Sequence, residues 1–379
     1  MEMLFDYVVP FLVVLTILVF VHEMGHFSIA RYNNVRVEVF AVGFGRELFG
    51  YTDKHGTRWK FCAIPFGGYV KMFGQGEEIE DENAEGEATR ALTPEEQEVS
   101  FHYKSLGQRA AIVVAGPLAN FMFAIIVLGL LFGIAGTPSP LAGIGSVQTG
   151  SAAESAGFEN GDRIVSINDQ NVRWFEDLRQ IVSASPGMEL NFGVERGDQL
   201  ISLIATPKVH VSSGVDGVQS EIGLLGVTPD PEMIEYVDVG PLDAAWMGVE
   251  RTYGLTTQIL SALGQIISGS RTTDELGGPL RIAQISGQMA QGGLISLAFF
   301  LAALSVNLGL INLFPVPMLD GGHLVFYGVE GVLGRPVNAK VQEYSFRFGL
   351  ALVLLLMVFA TWNDLVQLKV FESIRNFIT

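Results

Sequence analysis

His22, Glu23 and His26 fall in the run HEMGH. On a helix, positions i and i+4 share a face, so both imidazoles can reach one metal ion while Glu23 stands beside it. Imidazole nitrogens suit Zn2+, and a catalytic zinc keeps one position for water, whose pKa it lowers to about 7. A carboxylate placed like Glu23 can take that water's proton and pass it to a leaving amine. Two histidines leave a tetrahedral site one protein ligand short. The run NLFPVPMLDGGH offers two candidates: Asp320, which follows a long uncharged stretch broken by Pro315 and Pro317, and His323, which could equally be a supporting or surface residue. Helical histidines in soluble chains are often only hydrogen-bonded core residues. Here, however, fourteen uncharged, mostly apolar residues precede the motif. A charge at a bilayer centre costs roughly 2.5–3.5 kcal/mol even on lenient scales, which points to a functional reason for these groups.

The elements that must position them are membrane helices. Of 379 residues, 49% are hydrophobic and 17% charged, the composition of an integral membrane protein with some soluble part. A net charge of -17 argues against a nucleic-acid partner, and the single cysteine, Cys62, excludes an intrachain disulfide and a cysteine zinc cluster. Four spans are expected: a first helix within 1–31 that carries HEMGH, a second within 105–136, a third that leads into the broken NLFPVPMLDGG segment within 292–326, and a fourth within 346–370. Each is near the roughly 20 apolar residues a bilayer requires. The first span lacks the basic start and small-residue cleavage site of a removable signal peptide. Lys and Arg crowd residues 31–71 and the connection after the third span. The positive-inside bias therefore makes these loops cytoplasmic and puts the termini and the middle region outside.

Between the spans, residues 32–76 alternate in short runs with Gly43, Gly45, Gly67 and Gly68 as breaks, the pattern of β-hairpins. Residues 77–104 form an acidic loop: ten acids and one arginine between Glu77 and Glu98 mark a solvated, disordered stretch. Residues 140–230 read as a compact β-rich domain with a turn at Asn160 and Gly161 and a helix near Trp174–Val182. Residues 241–270 are amphipathic, either an interfacial helix or a packing helix.

The piece SAGFENGDRIVSINDQNV resembles the core signature of PDZ domains, which capture peptide ends by strand addition. A folded spacer that filters substrates by size is the competing reading. More broadly, VHEMGHFSIAR, GFG, PFGGYVKM, AGPLANF and SVNLGLINLFPVPMLDGGHL occur in the order found in site-2 proteases. The chain thus resembles that family of intramembrane zinc metalloproteases, in its bacterial branch typified by the regulator of sigma-E protease. Well-known bacterial relatives carry two tandem PDZ domains, whereas one is recognisable here.

The resemblance implies a polytopic α-helical membrane protein with a membrane-re-entrant β-hairpin region and one PDZ-like extracytoplasmic domain. It implies that His22, His26 and Asp320 bind Zn2+ and that Glu23 is the catalytic base. Asn312 would hold substrate or polarise the scissile carbonyl, with Asn120, Gly67 and Gly68 also on the substrate side, while Gly116, Pro117 and Asn120 shape close packing. The implied location is the bacterial inner membrane, with the termini and PDZ-like domain periplasmic. Expected partners are the lipid bilayer, an upstream protease acting first, and a membrane-protein substrate such as an anti-sigma factor or a remnant signal peptide. Two other classes bear on the same residues. An ion-coupled transporter could carry a Pro-broken helix with a mid-membrane aspartate, but four spans are few for one and it has no need of HEMGH. An inactive PDZ adaptor would be expected to have lost a ligand or the base. Zinc that depends on His22 separates the protease from the transporter, and normal function in Glu23→Gln would favour the adaptor.

Overall fold

The computed structural model describes residues 4–75, 92–213, 219–270 and 277–367. Most of the acidic run, residues 77–91, lies outside them. The chain divides into two units, one of residues 1–131 and 241–379 and the other of residues 132–240.

Among the described residues, four helices are long and apolar enough to cross a membrane: Phe5–Tyr32, Leu106–Ala135, Leu294–Asn312 and Ala339–Gln367. The first begins with a wide turn at Leu4–Val8 and continues as α1 (Val9–Tyr32), with Pro10 near the point where the wide turn gives way to the α-helix. It ends before Asn33 and Asn34, the latter at φ 55.

β1 (Val37–Thr52) and β2 (Arg58–Met72) follow as one hairpin. The two strands curl so that Phe40 lies opposite Val70 on one side and Trp59 on the other. Bends at Gly43, Gly45 and Gly67, all at positive φ, permit this double pairing. Phe40 stacks on Trp59 with ring centroids 4.5 Å apart, and Phe27 of α1 meets both rings edge-on. Together with Val37, Val42 and Met72 they form the apolar seat that fastens the hairpin to α1. The turn is tied as well: Asp53 accepts from Arg31 (2.8 Å), Trp59 Nε1 (3.1 Å) and the amides of His55 and Thr57.

The last residues of the acidic run form α2 (Pro94–Val99), started by a capping box in which Thr93 and Glu96 bond each other's amides. α3 (Leu106–Ala135) carries Pro117 within it.

The second unit is β-rich. After β3 (Thr137–Pro140) and β4 (Ile144–Val147) come α4 (Ala152–Ala156), β5 (Arg163–Ile167), β6 (Gln170–Asn171), α5 (Phe175–Ser183), β7 (Leu190–Arg196) and β8 (Gln199–Ala205). β6, β5, β7 and β8 make an antiparallel sheet in that order. Alternation in β7 sends Leu190, Phe192 and Val194 inward, where they meet Ile144, Ile164, Ile167, Leu178 and Val182. β9 (Lys208–Ser213) pairs with β10 (Gln219–Leu224), β11 (Val227–Pro229) with β4, and β12 (Ile234–Val237) with β3.

Four helices complete the first unit after the long α6 (Pro241–Ile267): α7 (Pro279–Gln291), α8 (Leu294–Asn312), α9 (Asp320–Leu333) and α10 (Ala339–Gln367). α6 is not peripheral to its unit, since it packs on α8 and sets Gly248 against the backbone of α3 at Ile125 and Gly129. Asp364 of α10, buried, accepts the amides of Gly278, Leu280 and Arg281 and so caps the start of α7.

Candidate metal centre

α1 places His22 and His26 one turn apart, each only 9% exposed. Their Nε2 atoms are 3.2 Å from each other. Asp320, the first residue of α9, brings Oδ2 to 3.1 Å from His22 Nε2 and Oδ1 to 3.5 Å from His26 Nε2. No other group of three metal-ligating side chains converges in this way among the described residues. Asp320 Oδ2 is buried and receives no properly directed hydrogen bond, although a ring nitrogen lies 3.1 Å away. Lone pairs gathered on one point repel unless a cation lies between them. A tetrahedral ion bonded at about 2.0–2.1 Å holds its ligand atoms about 3.3 Å apart, so the observed spacings fit an ion of zinc's size.

α3 backs both rings. His26 Nδ1 lies 2.9 Å from the carbonyl oxygen of Ile112, a contact only an N–H can make, which leaves Nε2 as the lone-pair nitrogen. Gly116 faces the same ring so closely that a Cβ there would lie 2.3 Å from His26 Nε2. Asn120, expected both on the substrate side and in close packing, is fully buried, with its Nδ2 3.1 Å from His22 Nδ1. Ile112 escapes a sequence reading because every residue has a carbonyl. The spacing 112, 116, 120 on one helix face is the signal that could have marked it.

The third candidate ligand depends on a break in the helix. After α8, residues 313–319 fold back through bonds from Val316 N to Phe314 O (2.7 Å) and from Leu319 N to Val316 O (3.0 Å). Pro315 and Pro317 prevent the helix from continuing, and Met318 adopts φ +90, a strained value for a side-chain-bearing residue. α10 seats this loop at Gly349, where a Cβ would lie 1.9 Å from the Pro317 carbonyl oxygen. His323 does not join the cluster, and its ring leans on Phe346 at 5.1 Å. Asn312 ends α8, half-buried, seven residues before the turn is complete.

Glu23 is half-buried next to His22 and accepts a hydrogen bond from the backbone of Val70. The strand passes so close that a Cβ on Gly68 would lie 2.9 Å from Val19 Cγ1 and 3.4 Å from Glu23 Cγ. Gly67, at φ +99, turns the chain into that strand and lies against the Phe44 ring. The HEMGH face is thus enclosed by α3 on one side, the hairpin on another and the Asp320 turn on a third.

The model of Peptidase family M50 matches residues 10–356. A protein of Agrobacterium fabrum named "Putative zinc metalloprotease" is 43% identical over 364 residues, covering 96% of each chain. One of the same description from Rhizobium meliloti is 44% identical over 96% of this chain and 99% of its own. "Metalloprotease MmpA" of Caulobacter vibrioides is 35% identical over 98% of both. A solved PDZ domain of an SdrC-like protein from Listeria monocytogenes aligns with 26% of this chain and 90% of its own, at 15% identity and a TM-score of 0.18, a level that carries no weight.

Proposed function

The chain belongs to peptidase family M50, and from that premise we propose that it is an intramembrane zinc endopeptidase whose substrates are the transmembrane segments of other membrane proteins. The observation that carries this reading is the meeting of His22, His26 and Asp320 in the membrane unit, with Glu23 alongside. Those three residues would hold zinc, which supplies Lewis acidity and brings the pKa of a water to about 7. Glu23 takes the proton of the attacking water on its carboxylate and delivers it to the departing amide nitrogen. The Val70 backbone bond holds that carboxylate in place between the two transfers.

The hairpin positions substrate. A peptide bond inside an intact helix is shielded by its own hydrogen bonds, so the substrate must be drawn out, and an extended segment laid along strand 68–72 passes Glu23. Asn312, at the end of α8, steadies the scissile carbonyl. In the other unit, the cleft of ≈ 260 Å3 between α5 and residues 223–227, lined by Phe175, Leu178, Val182 and Leu225, receives a peptide end in the manner of a PDZ domain. The site then lies in a bacterial inner membrane, with residues 31–75 and the connection before α10 cytoplasmic and the PDZ-like unit periplasmic. Substrates are anti-sigma factors already trimmed by an upstream protease, or remnant signal peptides.

The test is cleavage of a transmembrane model substrate by purified wild type and Glu23→Gln, with zinc content measured on both. Cleavage by the wild type alone, with zinc in both, supports the assignment. Equal cutting by the two would remove Glu23 from the mechanism.

A further inference from the structure

Resting on the zinc-site reading above, we propose that Asn120 is a positioning residue whose carboxamide oxygen accepts the Nδ1–H of His22, fixing the tautomer that leaves His22 Nε2 free for metal. Asn120 has none of its surface exposed, and its amide lies 3.1 Å from His22 Nδ1. With Nδ2 turned toward the ring, His22 Nδ1 must accept, the ring proton moves to Nε2, and Asn120 Oδ1 is left buried without a partner. That proton would point at His26 Nε2, 3.2 Å away, in the place a metal must occupy. Turning the amide by 180° exchanges two atoms of nearly equal size and alters no packing. Oδ1 then accepts from Nδ1–H, and all three converging atoms present lone pairs.

His26 sets the precedent within the same site. Its Nδ1–H is held by the Ile112 carbonyl, eight residues before Asn120 on the same face of α3. The stripe 112, 116, 120 therefore does one job for two ligands: a carbonyl for His26, a gap at Gly116 for its ring, and a carboxamide for His22. Asn120 is itself fixed from behind, because Ser305 of α8 donates to its backbone carbonyl at 2.9 Å and Gly309 comes close to its Cβ. An acceptor on the far nitrogen of a metal-bound imidazole orients the ring and raises its basicity.

The experiment uses full-length protein stripped by chelator and titrated with zinc against a chromophoric competitor, and with Co2+, whose visible bands report the ligand field. Asn120→Asp keeps an acceptor oxygen, and Asn120→Leu keeps the bulk without it. The expected result is a zinc affinity on the order of 10–100-fold weaker for the leucine variant, with altered Co2+ bands, while the aspartate variant stays within about threefold of wild type. If the leucine variant does not fold, Asn120→Ala takes its place. Wild-type affinity in the leucine variant, or equal losses in both, would overturn the proposal and leave the zinc site standing. A wild type that binds no zinc, or a His22→Ala variant that binds as well as wild type, would overturn both.

Discussion

The two units keep their shape by different means. Residues 132–240 enclose an apolar core in which Phe192, Ile164, Ile167 and Val194 are almost wholly buried, and their charges lie mostly at the surface, as in the Glu176–Arg179 pair. The membrane unit instead exposes large apolar side chains such as Leu118, Met122, Ile126 and Leu130 on α3 and buries polar ones, including His22, His26, Asn120, Ser305 and Asp364. Lipid is as apolar as leucine, so burying leucine between membrane helices gains little. Close backbone approach and satisfied polar contacts must share the holding with the hairpin's apolar seat, and several of them lie around the metal centre. In the membrane unit, groups that gather at the metal centre are also among those that hold α1, α3 and α8 together.

Four measurements can break or sharpen that contrast. The largest effect is expected at Gly116, where any side chain drives into His26. Gly116→Val should lower proteolysis on the order of 100-fold or more, since displacing a reacting group by about 1 Å costs that much. Bound zinc, measured by mass spectrometry, should fall with it while the melting of residues 132–240 stays unchanged. Next comes Phe192→Ala, which opens the core of residues 132–240 and should cost about 3–5 kcal/mol there. Hydrogen exchange should show residues 132–240 loosened with zinc retained; loss of zinc in this variant would end the claim of separate supports.

A smaller, pH-dependent effect is expected at Asp53. Desolvation works against its ionisation, but the bonds from Trp59, the His55 and Thr57 amides and Arg31 outweigh it and hold the carboxyl down to about 2, from 3.8. The folded value is the lower one, so the anchor's contribution is complete above about pH 4 and lost as the pH falls toward 2. Trp59 fluorescence, with the other tryptophans replaced by phenylalanine, should change across that window, and Asp53→Asn should abolish the change. Smallest of all is Arg179→Ala, which removes an exposed pair and should leave the melting temperature unmoved.

Much of this was legible in the residues, and for definable reasons. The i, i+4 histidines and the long apolar runs follow from helix period and bilayer thickness, both local properties of sequence. The aspartate after Pro315 and Pro317 was visible as a candidate, but its choice over His323 depended on resemblance, because nothing local says which side chain turns toward α1. Other features depend on partners distant in the chain. The curled register of β1 and β2, α10 seating the Pro317 loop at Gly349, and the carbonyl of Ile112 on His26 are of this kind. Asn120 shows the limit most clearly: its motif marked it, while its buried contact is with a histidine 98 residues earlier.

The gapless contact at Gly116 also governs traffic. α1 and α3 meet there with no room for a side chain between them. The walls not built as helices are the hairpin strand beside Glu23 and the turn 313–319 that leads into Asp320. An exchange of metal is left to those two walls, and the rate at which a chelator strips the protein measures how readily they part.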